Sequence, residues 1–183
     1  MTFRKLGERL IYQGKIIRVV SARFTGPGGD QFERDIVFHP GAVSVVPVEF
    51  DDGGAGPVAV LVRQYRAPLE QTILEIPAGI RDVDGEPPER TARRELAEEV
   101  GLRAGRMEKL CEFQNSPGFS DERVWVYLAL DLEECATSAQ SVEEQHMTVE
   151  RIPLDDVPEM IAAGDIVDAK TIIGLCLARE ALS

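Results

Sequence analysis

The stretch from Gly79 to Leu102, GIRDVDGEPPERTARRELAEEVGL, constrains this chain more than any other. Its second half predicts a short helix. Pro87 and Pro88 suit the first turn, where a missing N–H costs little, and Gly101 suits the left-handed position just past the last turn. Between them Ala92, Leu96 and Val100 recur every four residues, an apolar stripe for a core. Glu95, Glu98 and Glu99 lie off that stripe at i, i+3 and i+4 and crowd one face. Like charges at that spacing repel, so the helix gains nothing locally from them. A divalent cation converts the repulsion into ligation, and hard, oxygen-seeking Mg²⁺ suits carboxylates better than zinc does. On an arbitrary helix the same acids read as a solvated face balanced by Arg93 and Arg94. The residues around them decide the matter.

Gly79, Glu86, Arg94-Glu95-Leu96, Glu98-Glu99 and Gly101-Leu102 together resemble the Nudix box, the signature of hydrolases acting on nucleoside diphosphates linked to another group. Seven residues separate Glu86 from Arg94, as that pattern requires. Six rather than five separate Gly79 from Glu86. The extra residue leaves the helix untouched and bears only on the role of Glu86.

A chain of 183 residues with 44% hydrophobic content suffices for one domain with a substantial core. No apolar run approaches the roughly twenty residues of a membrane helix, and the opening Met1-Thr2-Phe3-Arg4-Lys5 leads into charged sequence without a signal-peptide core. A cytoplasmic protein is expected. Cys111, Cys135 and Cys176 are scattered and odd in number, which fits neither a disulfide framework nor a zinc site. A net charge of −12 argues against nucleic acid as a partner. It also means that an anionic diphosphate has to be neutralised locally, by a metal and a few placed arginines.

Read in order, residues 8–24 predict two strands hinged at Gly14, and Gln31 to His39 a third after the Gly26–Asp30 turn. Ala42 to Val48 reads as a buried strand and pairs with Val58 to Arg66 across a hairpin loop. Further strands are expected at 72–76, 107–114, 123–130 and 147–152, and helices at 154–163 and 168–182. Asp168 is the expected N-cap of the last helix. Ile172, Ile173, Cys176 and Leu177 are its expected buried face. Many strands, one central helix and a helical C-terminus give an α+β fold with mixed β-sheets. The resemblance implies a single Nudix domain over 1–183, an α/β/α sandwich. Residues 40–183 would form its catalytic core, and 8–39 an added N-terminal antiparallel sheet.

Three stretches resemble the ADP-ribose pyrophosphatase branch of the family: Leu74-Glu75-Ile76-Pro77-Ala78-Gly79 leading into the box, Pro117 fifteen positions after Leu102, and Phe32-Glu33-Arg34-Asp35-Ile36-Val37 in the extension. Carried over by position, the resemblance implies metal ligation by the Ala78 carbonyl, Glu95 and Glu99. Glu98 would be a further ligand or a carboxylate behind the ligands. Arg94 would orient the glutamates through its planar fork. It implies Mg²⁺, with Mn²⁺ as a substitute, clamping both water and diphosphate. The water-activating carboxylate resembles one in the loop before the last strand, Glu143 or Glu144, with Glu143 preferred from its distance to Met147. His146 beside them reads as polar surface. Arg66 is assigned to substrate phosphate, with Arg63 as its replacement if the strand faces the other way. Arg34 is assigned to the adenine side across a dimer, and Glu75 to a hydrogen bond from adenine or ribose.

The expected reaction is Mg²⁺-dependent hydrolysis of ADP-ribose to AMP and ribose 5-phosphate. A different nucleoside diphosphate sugar, such as GDP-mannose, would use the same chemistry. A non-catalytic ADP-ribose sensor is the other class, but such domains lose metal-binding glutamates, and here Glu95, Glu98 and Glu99 are all present. A strand block of about thirty residues has few core partners of its own, so a homodimer exchanging these N-terminal strands is expected.

Overall fold

The computed structural model describes residues 2–50, 56–137 and 145–183. Its chain divides into two compact units, residues 1–41 with 113–124, and residues 42–112 with 125–183.

The first unit is a three-stranded antiparallel sheet in sequence order: β1 (Arg4–Gln13), β2 (Arg18–Thr25) and β3 (Gln31–Phe38). The turn between β2 and β3 needs Gly29 at φ 91°, a conformation that β-branched residues avoid. Phe24 stacks on Phe32 at 5.4 Å, and Phe3 meets the same ring edge-on at 6.1 Å. The loop carrying Pro117 joins this unit through backbone bonds between Val37 and the Phe119–Asp121 segment.

The core unit is built on β4 (Ala42–Phe50), β5 (Pro57–Arg66), β6 (Gln71–Glu75), β7 (Ala78–Ile80), β8 (Leu102–Gln114), β9 (Arg123–Glu134) and β10 (Thr148–Pro153). Their order is β10-β5-β4-β9-β8, with β6 on β5 and β7 on β4. β4 and β5 pair only from Val48↔Ala59 to Phe50↔Pro57. Beyond that, β5 takes β6 over Val62–Arg66, and the other end of β4 takes β7 over Ala42–Ser44. Two short strands and the peptide between them therefore fill the region where the long strands part.

Both faces are covered at the centre of this sheet, which is why β4 and β5 read as continuous apolar runs, whereas β8 and β10 are more exposed. On one face Val43, Val45, Val60, Tyr127 and Ala129 pack with Ala92 and Leu96 of α1 (Pro88–Val100). α1 starts with Pro88 after an extended Pro87 and stops at Gly101, φ 67°, whose N–H returns to Leu96 and Ala97. On the other face α3 (Ala169–Ala181) sets Gly174 against Ile76, Val46 and Val126. Helices on both faces of a sheet give the expected α+β sandwich. α2 (Val157–Ala163) is shorter than the sequence suggests, because residues 154–156 form a turn after β10. β8 is longer, starting at Leu102 directly after the glycine.

The buried face of α3 is a correction. Thr171, Gly174, Leu175 and Ala178 are buried, whereas Cys176 and Leu177 are exposed and Ile172 and Ile173 half-buried. A Cβ on Gly174 would come within 2.9 Å of Ile76 and 3.0 Å of Val46. The helix approaches the sheet too closely for large side chains at the contact, so small residues occupy it and the isoleucines flank it.

Candidate active site

α1 and β7 form the two walls of a cleft of about 370 Å³, and the end of β5 closes it with Gln64, Tyr65 and Arg66. From α1 come Arg94, Glu95, Glu98 and Glu99; from β7 and the following loop come Ala78, Gly79, Ile80 and Asp82. The helical spacing puts the four α1 side chains on one face, and the pairing of β7 with β4 brings the Ala78–Gly79 backbone up to them.

The contacts are close. A Cβ built on Gly79 would fall inside the Glu95 carboxylate, so this position has to be glycine for the glutamate to lie there. Glu99 Oε2 accepts a hydrogen bond from the Ala78 N–H at 3.0 Å. Arg94 stands among four acids. Its Nη1 lies 2.8 Å from Glu95 and 3.2 Å from Glu98, and its Nη2 lies 3.0 Å from Asp82 and 3.5 Å from Glu86. Burial pulls the Arg94 pKa down, but Glu95, Glu98, Asp82 and Glu86 outweigh it and hold the guanidinium above its ordinary value. The longer loop before the helix thus still delivers Glu86 to Arg94. Its carboxylate also accepts from Thr91 Oγ1 at 2.9 Å, and its carbonyl accepts from Arg81 at 3.0 Å.

These donors fit a hard divalent cation. Three carboxylates and backbone carbonyls are oxygen ligands, and the Gly79 cradle brings Glu95 against the backbone. Among the described residues no three acidic, histidine or cysteine side chains are grouped so as to hold a metal ion by themselves. Glu95 and Glu98 lean toward Arg94, and Glu99 toward the Ala78 N–H. An ion of the Mg²⁺ type, bound by one or two carboxylates with water and substrate phosphate completing the shell, suits such an open set.

At the far end, Arg66 lines the cleft while Arg63 pairs with Glu150 of β10 outside it. Arg66 Nε and Nη2 donate to the two oxygens of Glu75 at 2.5 and 2.7 Å. Those bonds first, against burial, raise the Arg66 pKa. Glu75 is only 1% exposed and does not line the cleft. Burial pushes its carboxyl up, but Arg66 and Lys170 together hold it below the usual carboxylate range. Arg66 and Lys170 thus engage both oxygens of Glu75, the residue that the sequence assigns to a hydrogen bond from adenine or ribose. Lys170, from the first turn of α3, was missed as an individual residue, although Asp168-Ala169-Lys170-Thr171 lies in the matching region. A glutamate inside the apolar run Ile73-Leu74-Glu75-Ile76 is the signal that a buried cationic partner exists. Asp82 was missed too, since a loop acid carries no periodicity.

Arg34 and Pro117 belong to the other unit, both exposed. Arg34 donates to the Glu33 carbonyl at 2.7 Å and sits 4.9 Å over the Phe32 ring. Glu143 and Glu144 lie outside the described residues, and the neighbouring His146 is exposed.

Comparison with known proteins agrees with this geometry. Residues 38–172 match the NUDIX domain. The chain is 39% identical over 168 residues to an ADP-ribose pyrophosphatase of Bacillus subtilis, covering 92% of this chain and 88% of that one. It is 38% identical over 173 residues to an ADP-ribose pyrophosphatase of Mycobacterium tuberculosis, covering 94% and 81%. A solved structure described as an ADP compounds hydrolase superposes with a TM-score of 0.86 at 24% identity, covering 100% of this chain and 95% of that one, a likeness of fold. With Gly79, Arg94, Glu95, Glu98 and Glu99 of the box lining one cleft and the match spanning most of its length, the chain belongs to the Nudix hydrolase family.

Proposed function

We propose that this protein hydrolyses the diphosphate of ADP-ribose to AMP and ribose 5-phosphate with Mg²⁺. The observation that carries the reading is the cleft itself, with Glu95 and Glu99 packed on the Ala78–Gly79 backbone and Glu98 beside them at one side, and an arginine with a fixed guanidinium at the other. That is a place for cations and a place for an anion within one ligand's reach. The choice of ADP-ribose rests on relatives of that name matched over most of their length.

Glu95, Glu99 and the Ala78 carbonyl would hold the metal, with Glu98 as a further ligand or behind them. Bound there, a divalent cation supplies charge neutralisation of the diphosphate and a more acidic water. Arg94 keeps Glu95 and Glu98 oriented through charge-assisted hydrogen bonds. Arg66 binds the diphosphate with the donors that Glu75 does not use. Glu143, or Glu144 beside it, takes the proton from the attacking water as general base. Pro117 and Arg34 shape the adenine side, with Arg34 coming from a second copy. Exposed Phe3, Leu10, Ile11 and Tyr12 at β1 support such a homodimer with exchanged N-terminal strands, which ultracentrifugation at micromolar concentration tests. No helix among the described residues is long and apolar enough to cross a membrane. Three free cysteines accord with a reducing cytoplasm.

Nucleoside monophosphate release from ADP-ribose, ADP-glucose, GDP-mannose and NADH, with and without Mg²⁺, tests the reading. Mg²⁺-dependent cleavage fastest with ADP-ribose is expected. Faster release of GMP from GDP-mannose would keep the catalytic residues and discard the adenine-side assignments.

A further inference from the structure

Glu75 has a second cationic partner on its far side. Lys170 Nζ bonds the same carboxylate that Arg66 grips, and it also reaches Asp168 Oδ2 at 2.9 Å. Lys170 does not line the cleft. The next residue, Thr171, accepts the Ile76 N–H on its Oγ1 at 3.0 Å and donates that hydroxyl to Asp168 at 2.6 Å. The first turn of α3 therefore grips two successive residues of the β6 end, immediately before Pro77-Ala78-Gly79.

Stability alone is a poor account of this arrangement. Burying a carboxylate between two cations carries a desolvation cost that apolar packing of the same volume avoids. The geometry suggests another use. Of the five N–H donors of Arg66, two are committed to Glu75, leaving three for a ligand in the cleft. Paired with Glu75 alone, the guanidinium would present little net charge. With Lys170 drawing on the same carboxylate, Arg66 keeps more of its positive field for an anion.

We infer that Lys170 is a positioning residue for substrate binding: through Glu75 it fixes the Arg66 guanidinium and leaves its charge available to the diphosphate. This rests on the reading of the cleft as a diphosphate site, and it adds a residue from the C-terminal helix that touches no substrate.

The test is steady-state kinetics of Lys170→Met and Lys170→Arg at saturating Mg²⁺, using whichever nucleotide sugar of the panel the wild-type protein cleaves fastest. Lys170→Met is expected to raise KM about tenfold with kcat within about twofold, the mark of lost uniform binding. Lys170→Arg, which restores the charge, is expected to return KM to within about threefold of wild type. A folded Lys170→Met with unchanged KM would overturn the inference, as would a fall confined to kcat or an arginine variant no better than methionine. If Lys170→Met does not fold, as judged by its thermal melt, Lys170→Gln carries the same test. A wild-type preference for another sugar sinks the ADP-ribose reading and leaves this experiment intact. If nothing is cleaved, the readout becomes the calorimetric Kd for ADP-ribose, with the same tenfold weakening expected; no wild-type binding at all would overturn both.

Discussion

Around Arg94 one cation stands among four carboxylates; around Glu75 one carboxylate stands between two cations. The two clusters share a vocabulary and are built in opposite senses. The first lies on the cleft wall with more negative charge than its arginine balances, so it gains from an added cation. The second is buried at its centre and presents its arginine to the cleft, where the proposed reading puts an anion. A diphosphate bound through a metal at one end and a guanidinium at the other needs both senses in one cleft. The difference also separates two uses of a salt bridge. The Glu75 cluster holds a side chain in place, whereas the Arg94 cluster gathers the carboxylates that the proposed reading assigns to a metal.

Gly79→Ala should disturb the acidic cluster most. The new methyl would displace the Glu95 carboxylate, and a displacement of about 1 Å in a catalytic group costs roughly 100-fold. Turnover is therefore expected to fall by about that factor while the thermal melt moves little, because the clash falls on a cleft side chain. A wild-type rate would show that Glu95 has no fixed place in the chemistry.

Glu75→Gln probes the other cluster, and its main effect is on stability. It leaves Arg66 without its paired carboxylate and Lys170 with Asp168 alone, at a cost of about 2 kcal/mol at neutral pH by denaturant unfolding. The folded-state pKa of Glu75 is depressed, so its contribution is complete above the unfolded carboxylate value of about 4.3 and is lost as pH falls through the lower folded value. The gap between wild type and variant should therefore narrow on acidification. A gap that widens instead would contradict the assigned direction.

Arg63→Ala marks the small end of the scale. Arg63 lies on the same strand as Arg66 and pairs with Glu150 of β10, but the pair is 40% and 32% exposed and lies outside the cleft. A stability change of no more than about 1 kcal/mol and an unchanged KM are expected. A large KM effect would mean that arginines on β5 act by general charge rather than by position.

How much of this was legible in the sequence follows from how local each signal is. α1 was legible throughout, because its proline start, glycine stop and four-residue stripe all lie within sixteen residues. The box residues came with it. The face of α3 was misjudged because periodicity weights large apolar side chains, while the closest contact with the sheet admits only small ones such as Gly174 and Ala178. The Lys170–Glu75 bond joins residues 95 apart, and no spacing rule reaches that far. What the sequence did carry was its symptom, an acid inside an apolar strand.

Hydrolysis of ADP-ribose against Mg²⁺ concentration, wild type beside Glu99→Gln, is the most direct test of the cleft as the reaction centre. Glu99 lies on the Ala78 backbone, where the metal is assigned. The account predicts Mg²⁺-dependent turnover in wild type. In the folded variant it predicts a loss of about 100-fold or more that excess Mg²⁺ does not restore. A variant that reaches the wild-type rate at saturating Mg²⁺ would remove Glu99 from the metal site and contradict the account.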